Sequence, residues 1–405
     1  MNIIFSIFTI LFWGIGSVLA VWVGYLLLLT VCAWFTPSST KPPTKSPQNR
    51  FAILIPAHNE EKLLPGLLAN LAQLDYPKEL YDIFVVADNC MDNTASLARA
   101  TGSIVYERFD TKNVGKGCAL QWLLGQILDD DRDFDAATIL DADSLVSSNF
   151  LRIMDAKLQQ GALAIQAYYA VRDAEQSWTA SLRASALAVL HYLRPQGRML
   201  LGASAGLKGN GMVFHKSILV EYKWSASVTE DIEYHMSLIL GGQRVLFAPD
   251  AVVWAEIPNS LSESNTQNVR WEQGRLEMAK VYVPRLLKRI FLPGPNLGSR
   301  FVLFDAVMEH IIPPFSILLG LSGISLILAL LIDTTASVNL VTFIFVGQFI
   351  YLTSGMVLAD VPRKAYLAMF YLPLFLGWKI WLYVRLFVRP EKKGWVRTRR
   401  IGEQQ

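Results

Sequence analysis

Residues 136–143 read Ala136-Ala137-Thr138-Ile139-Leu140-Asp141-Ala142-Asp143, an uncharged run ending in two carboxylates. A short run of this kind, bounded by polar residues, predicts a buried strand. In an extended segment residues two apart point to one face, so Asp141 and Asp143 are expected side by side at the strand's carboxyl end. The same unit recurs on the amino-terminal side. FAILIP (51–56) precedes a helix predicted from Glu60, DIFVVAD (82–88) one from Asp92, and SIVYE (103–107) one from Gly115; a fourth helix is predicted from about Val146. Strands alternating with helices predict an α/β fold with a mostly parallel sheet covered by helices. Ligands of such sheets bind beyond the carboxyl ends of the strands, where Asp88 and Asp141 fall.

The rest of the chain is too apolar for an ordinary soluble protein, with 52% hydrophobic residues and a mean hydropathy of +0.32 over 405 residues. Residues 1–35 carry no charge and are read as an uncleaved transmembrane anchor, longer than a signal-peptide core. Residues 36–50, rich in Pro, Ser, Thr and Lys, read as a linker, and Lys41, Lys45 and Arg50 favour the cytoplasmic side. The α/β region is expected over 51–290, an interfacial helical region over 291–313, transmembrane helices over 314–388 and a basic cytoplasmic tail over 389–405. Within Phe301 to Ile332, Asp305, Glu309 and His310 before Pro313-Pro314 predict that only the second half crosses. One of the later apolar pieces is expected to be interfacial or re-entrant, since three crossings would put the basic tail outside. A net charge of +3 without a basic stripe argues against nucleic acid. Cys32, Cys90 and Cys118 have no metal or redox spacing and read as free thiols.

Several polar groups admit both a chemical and a structural role. Asp141 and Asp143 suit a hard divalent cation whose shell is completed by a diphosphate, or else cap a helix near Ser147. Asp88 can accept a hydrogen bond from the N3–H of uracil, while Asp92 or Asn93 capping a helix accounts for much of the same cluster. Gly115-Lys116-Gly117 at a helix start suits a phosphate, although the spacings of a P-loop and of a dinucleotide fingerprint are absent. In Thr229-Glu230-Asp231, Asp231 can act as a general base, and Ser227 with Glu230 has the spacing of a capping box. Gln267, Arg270 and Trp271 share one helix face: Arg offers a fork to phosphate, Trp a surface to a sugar ring. Alternatively Ser264 and Gln267 cap that helix, and Trp271, Leu276 and Met278 are core.

Taken in this order, these elements resemble the family 2 inverting glycosyltransferases, especially the membrane-embedded cellulose, chitin and hyaluronan synthases. The resemblance covers Ala52 to about Lys280. Pro56-Ala57-His58-Asn59-Glu60-Glu61 is similar to the family's opening pattern, which more often has Tyr where His58 stands. By resemblance Glu60, Asp88, Lys116, Asp141, Gln267 and Arg270 bind the donor, and Asp141 and Asp143 bind the metal. Asp231 is then the base, grouped with Glu230 as catalytic, while Trp271 and Gly209-Asn210-Gly211 meet the acceptor. The tail Trp395 to Arg400 resembles a gating segment.

The resemblance implies a GT-A fold, Rossmann-like with N- and C-terminal transmembrane helices, a UDP-sugar donor, Mg2+ or Mn2+, and inversion by single displacement. The expected protein is integral to the membrane, with its catalytic domain on the cytoplasmic face, extending a polysaccharide. The short membrane portion leaves single-sugar transfer to a lipid as an alternative. A non-catalytic nucleotide-binding scaffold is a third possibility, which the intact acidic set disfavours.

Overall fold

Phe51–Ala57 forms β1, buried at every position but Pro56, so both its faces are covered. The computed structural model describes residues 3–37, 45–130, 132–227, 229–256 and 264–388. β1 lies between β2 (Tyr81–Asp88) and β4 (Ala136–Ile139), parallel to both, and β3 (Ile104–Arg108) extends the parallel half beyond β2. Beyond β4 the sheet changes character. β7 (Met212–His215) runs antiparallel to β4 and to β6 (Ala164–Val171); β8 (Val245–Ala255) is parallel to β6; β5 (Ser144–Val146) closes the edge antiparallel to β8. Four of seven pairings are parallel, giving a mixed, parallel-dominated eight-stranded sheet in the order β3-β2-β1-β4-β7-β6-β8-β5.

Alternation along β1 divides the core between the two faces. Phe51, Ile53 and Ile55 belong to a cluster with Leu64, Leu67 and Leu71 of α2 (Leu64–Leu71) and with Leu151 and Met154 of α5 (Phe150–Leu158). α4 (Lys116–Asp129) also packs on β1 and β2, burying Leu120, Leu123, Leu124 and Ile127; α3 (Thr94–Ala100) packs on β3. These helices begin one to four residues after their predicted starts. The expectation at Val146 fails by kind, because Ser144–Val146 is a strand and the helix starts at Phe150. Its pairing with Val253–Ala255, more than a hundred residues away, overrides the local pattern.

α6 (Trp178–Leu187), a π-helical stretch (Ala188–Leu193) and α7 (Arg194–Leu200) follow β6, and α8 (Lys216–Glu221) and α9 (Glu230–Leu240) follow β7. After β8, α10 (Ser264–Phe291) and α11 (Leu297–Ile311) pack with α9 through Tyr282, Leu286, Leu303, Met236 and Ile239.

The chain divides into two compact units. One is this α/β unit, Pro37–Asp173 with Gly202–Val307; the other holds Met1–Thr36, Ala174–Leu201 and Met308–Lys392. The second unit gathers α1 (Ile3–Phe35), α6, α7, α12 (Phe315–Ile332), α13 (Thr335–Leu358), α14 (Arg363–Ala368) and α15 (Leu372–Val388). Among the described residues four helical stretches are long and apolar enough to cross a membrane: Phe5–Phe35, Phe315–Ile332, Thr335–Leu358 and Arg363–Leu382. Pro313-Pro314 separates α11 from α12, as a residue without an amide N–H should. Glycine permits the close crossings: a Cβ at Gly197 of α7 would lie 2.2 Å from the Leu29 carbonyl of α1, and one at Gly355 of α13 2.4 Å from Val189. Inside this unit Arg194 donates from Nε to the Tyr351 hydroxyl at 2.6 Å, and Arg198 is ion-paired with Glu309.

Candidate active site

At the end of the parallel half, two left-handed asparagines turn the chain: Asn59 after β1 (φ 55°) and Asn89 after β2 (φ 51°), a conformation asparagine tolerates. The two turns are laced together. The Glu60 amide donates to Thr94 Oγ1 at 2.8 Å, the Glu61 amide to Asp92 Oδ2 at 3.1 Å, and the Met91 amide to Asn59 Oδ1 at 2.8 Å. Asp92 therefore serves the local structure, accepting also from the Thr94 amide at 3.0 Å, while Asn93 makes no side-chain cap. Asp88 takes no part in that capping. Its carboxylate is buried against Arg108, with Nη1 to Oδ1 at 2.6 Å, and accepts from Asn89 Nδ2 at 3.1 Å; its carbonyl meets His58 Nδ1 at 2.7 Å. Burial raises the Asp88 pKa against the opposing pull of Arg108. No local pattern in the sequence marks Arg108. It is the last residue of β3 and stands opposite Asp88 in the parallel register, a relation visible only once the strands are aligned.

Asp141 follows β4, but Asp141 to Asp143 is not extended: the Ser144 amide donates to the Asp141 carbonyl at 3.1 Å, closing a turn. The expectation that alternation alone puts the two carboxylates on one face is corrected accordingly. A buried residue from the other half of the sheet holds this turn. Asn210 Oδ1 accepts from the Asp141 amide at 3.2 Å, its Nδ2 donates to Ser144 Oγ at 2.7 Å, and its carbonyl accepts from Gln166 at 2.8 Å. Asn210, expected on the acceptor floor, thus has both ends of its amide engaged within the protein. Gly209 and Gly211 flank it with φ of +77° and +65°, and a Cβ at Gly211 would lie 2.6 Å from Val253.

Lys116 joins the two halves. It is the first residue of α4, after Gly115 at φ 115°, and its Nζ donates to Asp141 Oδ1 at 2.5 Å and to the Gly209 carbonyl. A Cβ built on Gly209 would stand 3.8 Å from Lys116 Nζ and 3.4 Å from Asp231 Oδ2, so two functional groups flank one backbone position and Lys116 ties Asp141 to it. Burial pulls the Lys116 ammonium down, but Asp141, Glu230 and Asp231 outweigh it and its pKa is raised.

Glu230 and Asp231 open α9 behind Thr229, which makes no side-chain cap. The capping box expected from Ser227 and Glu230 does not form, because the helix begins two residues later than that box requires. Asp231 Oδ1 accepts from the Ile232 amide at 2.8 Å. Burial pushes the Glu230 carboxyl up to about 8 against the pull of Lys116, and the neighbouring Asp231 charge adds to the rise. Burial raises Asp231 as well, opposed by the Ile232 N–H, Lys116 and Lys208. A carboxylate with a raised pKa is a better proton acceptor, which is what a base at this position needs.

α10 carries Gln267, Arg270 and Trp271, of which the first two are described by backbone alone. The helix passes against the start of α9: a Cβ at Gly274 would lie 2.2 Å from Thr229 Cγ2. Trp271 and Leu276 are 44% and 62% exposed, which removes these two from the core, whereas Met278 packs against the cluster of Tyr282 and Leu286. The tail segment Trp395 to Arg400 lies outside the described residues.

Among the described residues no three His, Cys, Asp or Glu side chains converge as a ready metal site. The donor set nevertheless fits Mg2+ or Mn2+, since such ions bind one or two carboxylates and complete their shell with substrate phosphates and water. Asp141 and Asp143 would supply the carboxylates.

Acidic groups at the strand ends and two adjacent carboxylates at a helix start, Glu230 buried and Asp231 partly exposed, mark the ligand-binding edge of this α/β sheet. Residues 47–274, more than half of the chain, match the family described as "Glycosyltransferase like family 2", and the chain belongs to that family. The poly-beta-1,6-N-acetyl-D-glucosamine synthase of Staphylococcus aureus (strain COL) is 27% identical over 266 residues, 64% of this chain and 60% of that protein. The beta-monoglucosyldiacylglycerol synthase of Trichormus variabilis is 27% identical over 252 residues, 58% of this chain and 51% of that one. The chain thus spans less than two thirds of the length of either relative. The fold is that of a solved mannosyltransferase, PcManGT from Pyrobaculum calidifontis in complex with GDP-Man and Mn2+: TM-score 0.57 and 19% identity over 94% of this chain and all of that one. The chain is a family 2 glycosyltransferase with a GT-A-like fold and apolar helices at both ends.

Proposed function

We propose that the protein is a membrane-embedded inverting glycosyltransferase that adds a sugar from a UDP-sugar to a growing polysaccharide, with its α/β unit on the cytoplasmic face. The observation that carries this reading is the meeting of Lys116, Asp141 and Asp231 around Gly209. What supports the reading is that groups suited to phosphate binding and to proton acceptance converge there from distant parts of the chain. Asp88, oriented by Arg108, accepts the N3–H of uracil. The turn behind Glu60 shapes the same end of the site. Lys116, Arg270 and Gln267 hold the diphosphate, and Asp141 and Asp143 would hold a divalent ion that supplies charge neutralisation at the leaving group when bound. Asp231 draws the proton from an acceptor hydroxyl as that oxygen attacks the anomeric carbon, the bond to the diphosphate breaks and configuration inverts. Burial raises the Glu230 carboxyl to about 8, which favours its protonated form near neutral pH, and the proton-accepting role is assigned to Asp231. The backbone at Gly209 and Gly211 and the exposed face of Trp271 border the acceptor.

The polysaccharide reading is supported by the resemblance to the staphylococcal synthase, and a lipid acceptor by the resemblance to the diacylglycerol glycoside synthase. Mass spectrometry of products made from a panel of UDP-sugars by the membrane-embedded protein separates them: a ladder of masses supports the polymer, a single hexose on a lipid the second reading. Nucleotide binding with no transfer from any donor would point to a scaffold, and transfer only from GDP-sugars would overturn the role of Asp88.

A further inference from the structure

The Lys116 ammonium sits where a cation is needed. It contacts Asp141 Oδ1 at 2.5 Å and the Gly209 carbonyl, and both it and Asp231 lie within 4 Å of the same point above Gly209. Asp141 is also a proposed ligand of the divalent ion. One carboxylate oxygen cannot serve an ammonium at hydrogen-bond distance and a metal ion without bringing two positive centres together, and charges at such range repel strongly in a partly buried site. A donor diphosphate changes this balance, because its oxygens can receive Lys116 and complete the metal shell together.

We infer that Lys116 is a resident counter-cation that blocks Asp141 against free divalent metal until the nucleotide arrives, so that metal and nucleotide-sugar enter together. The inference rests on the proposed donor and metal roles and adds an order of binding to them. Its geometry is supported from both sides. Lys116 is fixed at its backbone by the helix start, where a Cβ at Gly117 would lie 2.6 Å from the Ser227 carbonyl. The Asp141 turn is fixed by Asn210, so the exchange of partners falls to the Lys116 side chain alone.

The test is titration of Mn2+ into the full-length protein in detergent, followed by the electron paramagnetic resonance of free Mn2+, with and without UDP. Without nucleotide, wild type should bind Mn2+ weakly at this site, and Lys116→Gln should bind it about tenfold more tightly or better. With Mn2+ present, the same variant should bind UDP more weakly, because the phosphate has lost a cation. Lys116→Arg should restore weak metal binding, and Asp141→Asn added to Lys116→Gln should erase the gain. A purely structural lysine would not produce opposite shifts for metal and nucleotide in a protein whose thermal unfolding is unchanged. Equal or weaker Mn2+ binding by folded Lys116→Gln and by Lys116→Met would overturn the inference while leaving the proposed function standing. Failure of wild type to bind UDP with Mn2+ would sink the proposed function itself.

Discussion

Each of the two units holds a cluster of charge, and the clusters differ in how they are satisfied. In the α/β unit Lys116 and Asp141 retain 25% and 31% exposure of their side chains, and each is held by partners that a ligand can replace. In the apolar-helix unit Arg194 and Arg198 are 5% and 2% exposed, enclosed between Glu309 and Tyr351. Partial exposure with exchangeable partners is what chemistry needs. Full enclosure with fixed partners serves the packing of helices, where an unpaired charge is costly. Substitutions should therefore act on turnover in one cluster and on folding in the other.

The largest effect is expected in the enclosed cluster. Arg198→Met removes the nearer of two arginines beside Glu309, the Arg194 Nη1 standing 3.9 Å away, and should lower stability by about 3 kcal/mol. That is the low end for a broken buried pair, because Glu309 is partly exposed. Thermal unfolding in detergent measures it, and transfer per mole of folded protein should be unchanged. Next comes Asp231, the proposed base. Asp231→Asn should cut transfer roughly 10²-fold or more, about 2.7 kcal/mol, with UDP affinity and unfolding temperature retained. A variant that instead aggregates would make Asp231 part of the scaffold and erase the contrast.

The third effect sharpens the contrast through pH. Glu230 has its pKa raised to about 8 in the folded protein, above its unfolded value, so the native state holds a proton that the unfolded chain has released. Its contribution to stability is complete below about pH 4.3, falls as pH rises, and is gone above about pH 8. Glu230→Gln, which cannot ionise, should gain stability relative to wild type from pH 5 to pH 8. A constant difference would mean that Glu230 titrates normally. Smallest is Trp271→Ala, expected within about 0.5 kcal/mol of wild type in stability because the ring is exposed. Transfer should fall relative to hydrolysis of the donor by water, and an unchanged ratio would remove Trp271 from the acceptor site.

The parallel half of the sheet was legible in the sequence because each strand and its helix form a local period, with Asp88 at the end of β2 and Asp141 just beyond β4. The mixed half was not. β5 is three residues long and owes its state to β8, and the alternation rule failed at Asp143 because a turn intervenes. Lys116 was readable as a cation at a helix start, whereas its contact with Gly209, 93 residues away, follows only from the fold. Asn210 was readable as part of a motif, but its role beneath the Asp141 turn depends on antiparallel pairing of β4 with β7. Arg194 and Arg198 lie between β6 and β7, in sequence flanked on both sides by the α/β unit, so nothing local marks them as belonging with the apolar helices.

The contrast between exchangeable and enclosed charge is tested most directly by calorimetric titration of UDP with Mn2+ into wild type, Asp141→Asn and Arg198→Met, each normalised to folded protein. Binding is expected in wild type, with its loss by at least an order of magnitude in Asp141→Asn and wild-type affinity in the Arg198→Met protein that remains folded. Undiminished binding by Asp141→Asn, or loss of binding in folded Arg198→Met, would contradict it.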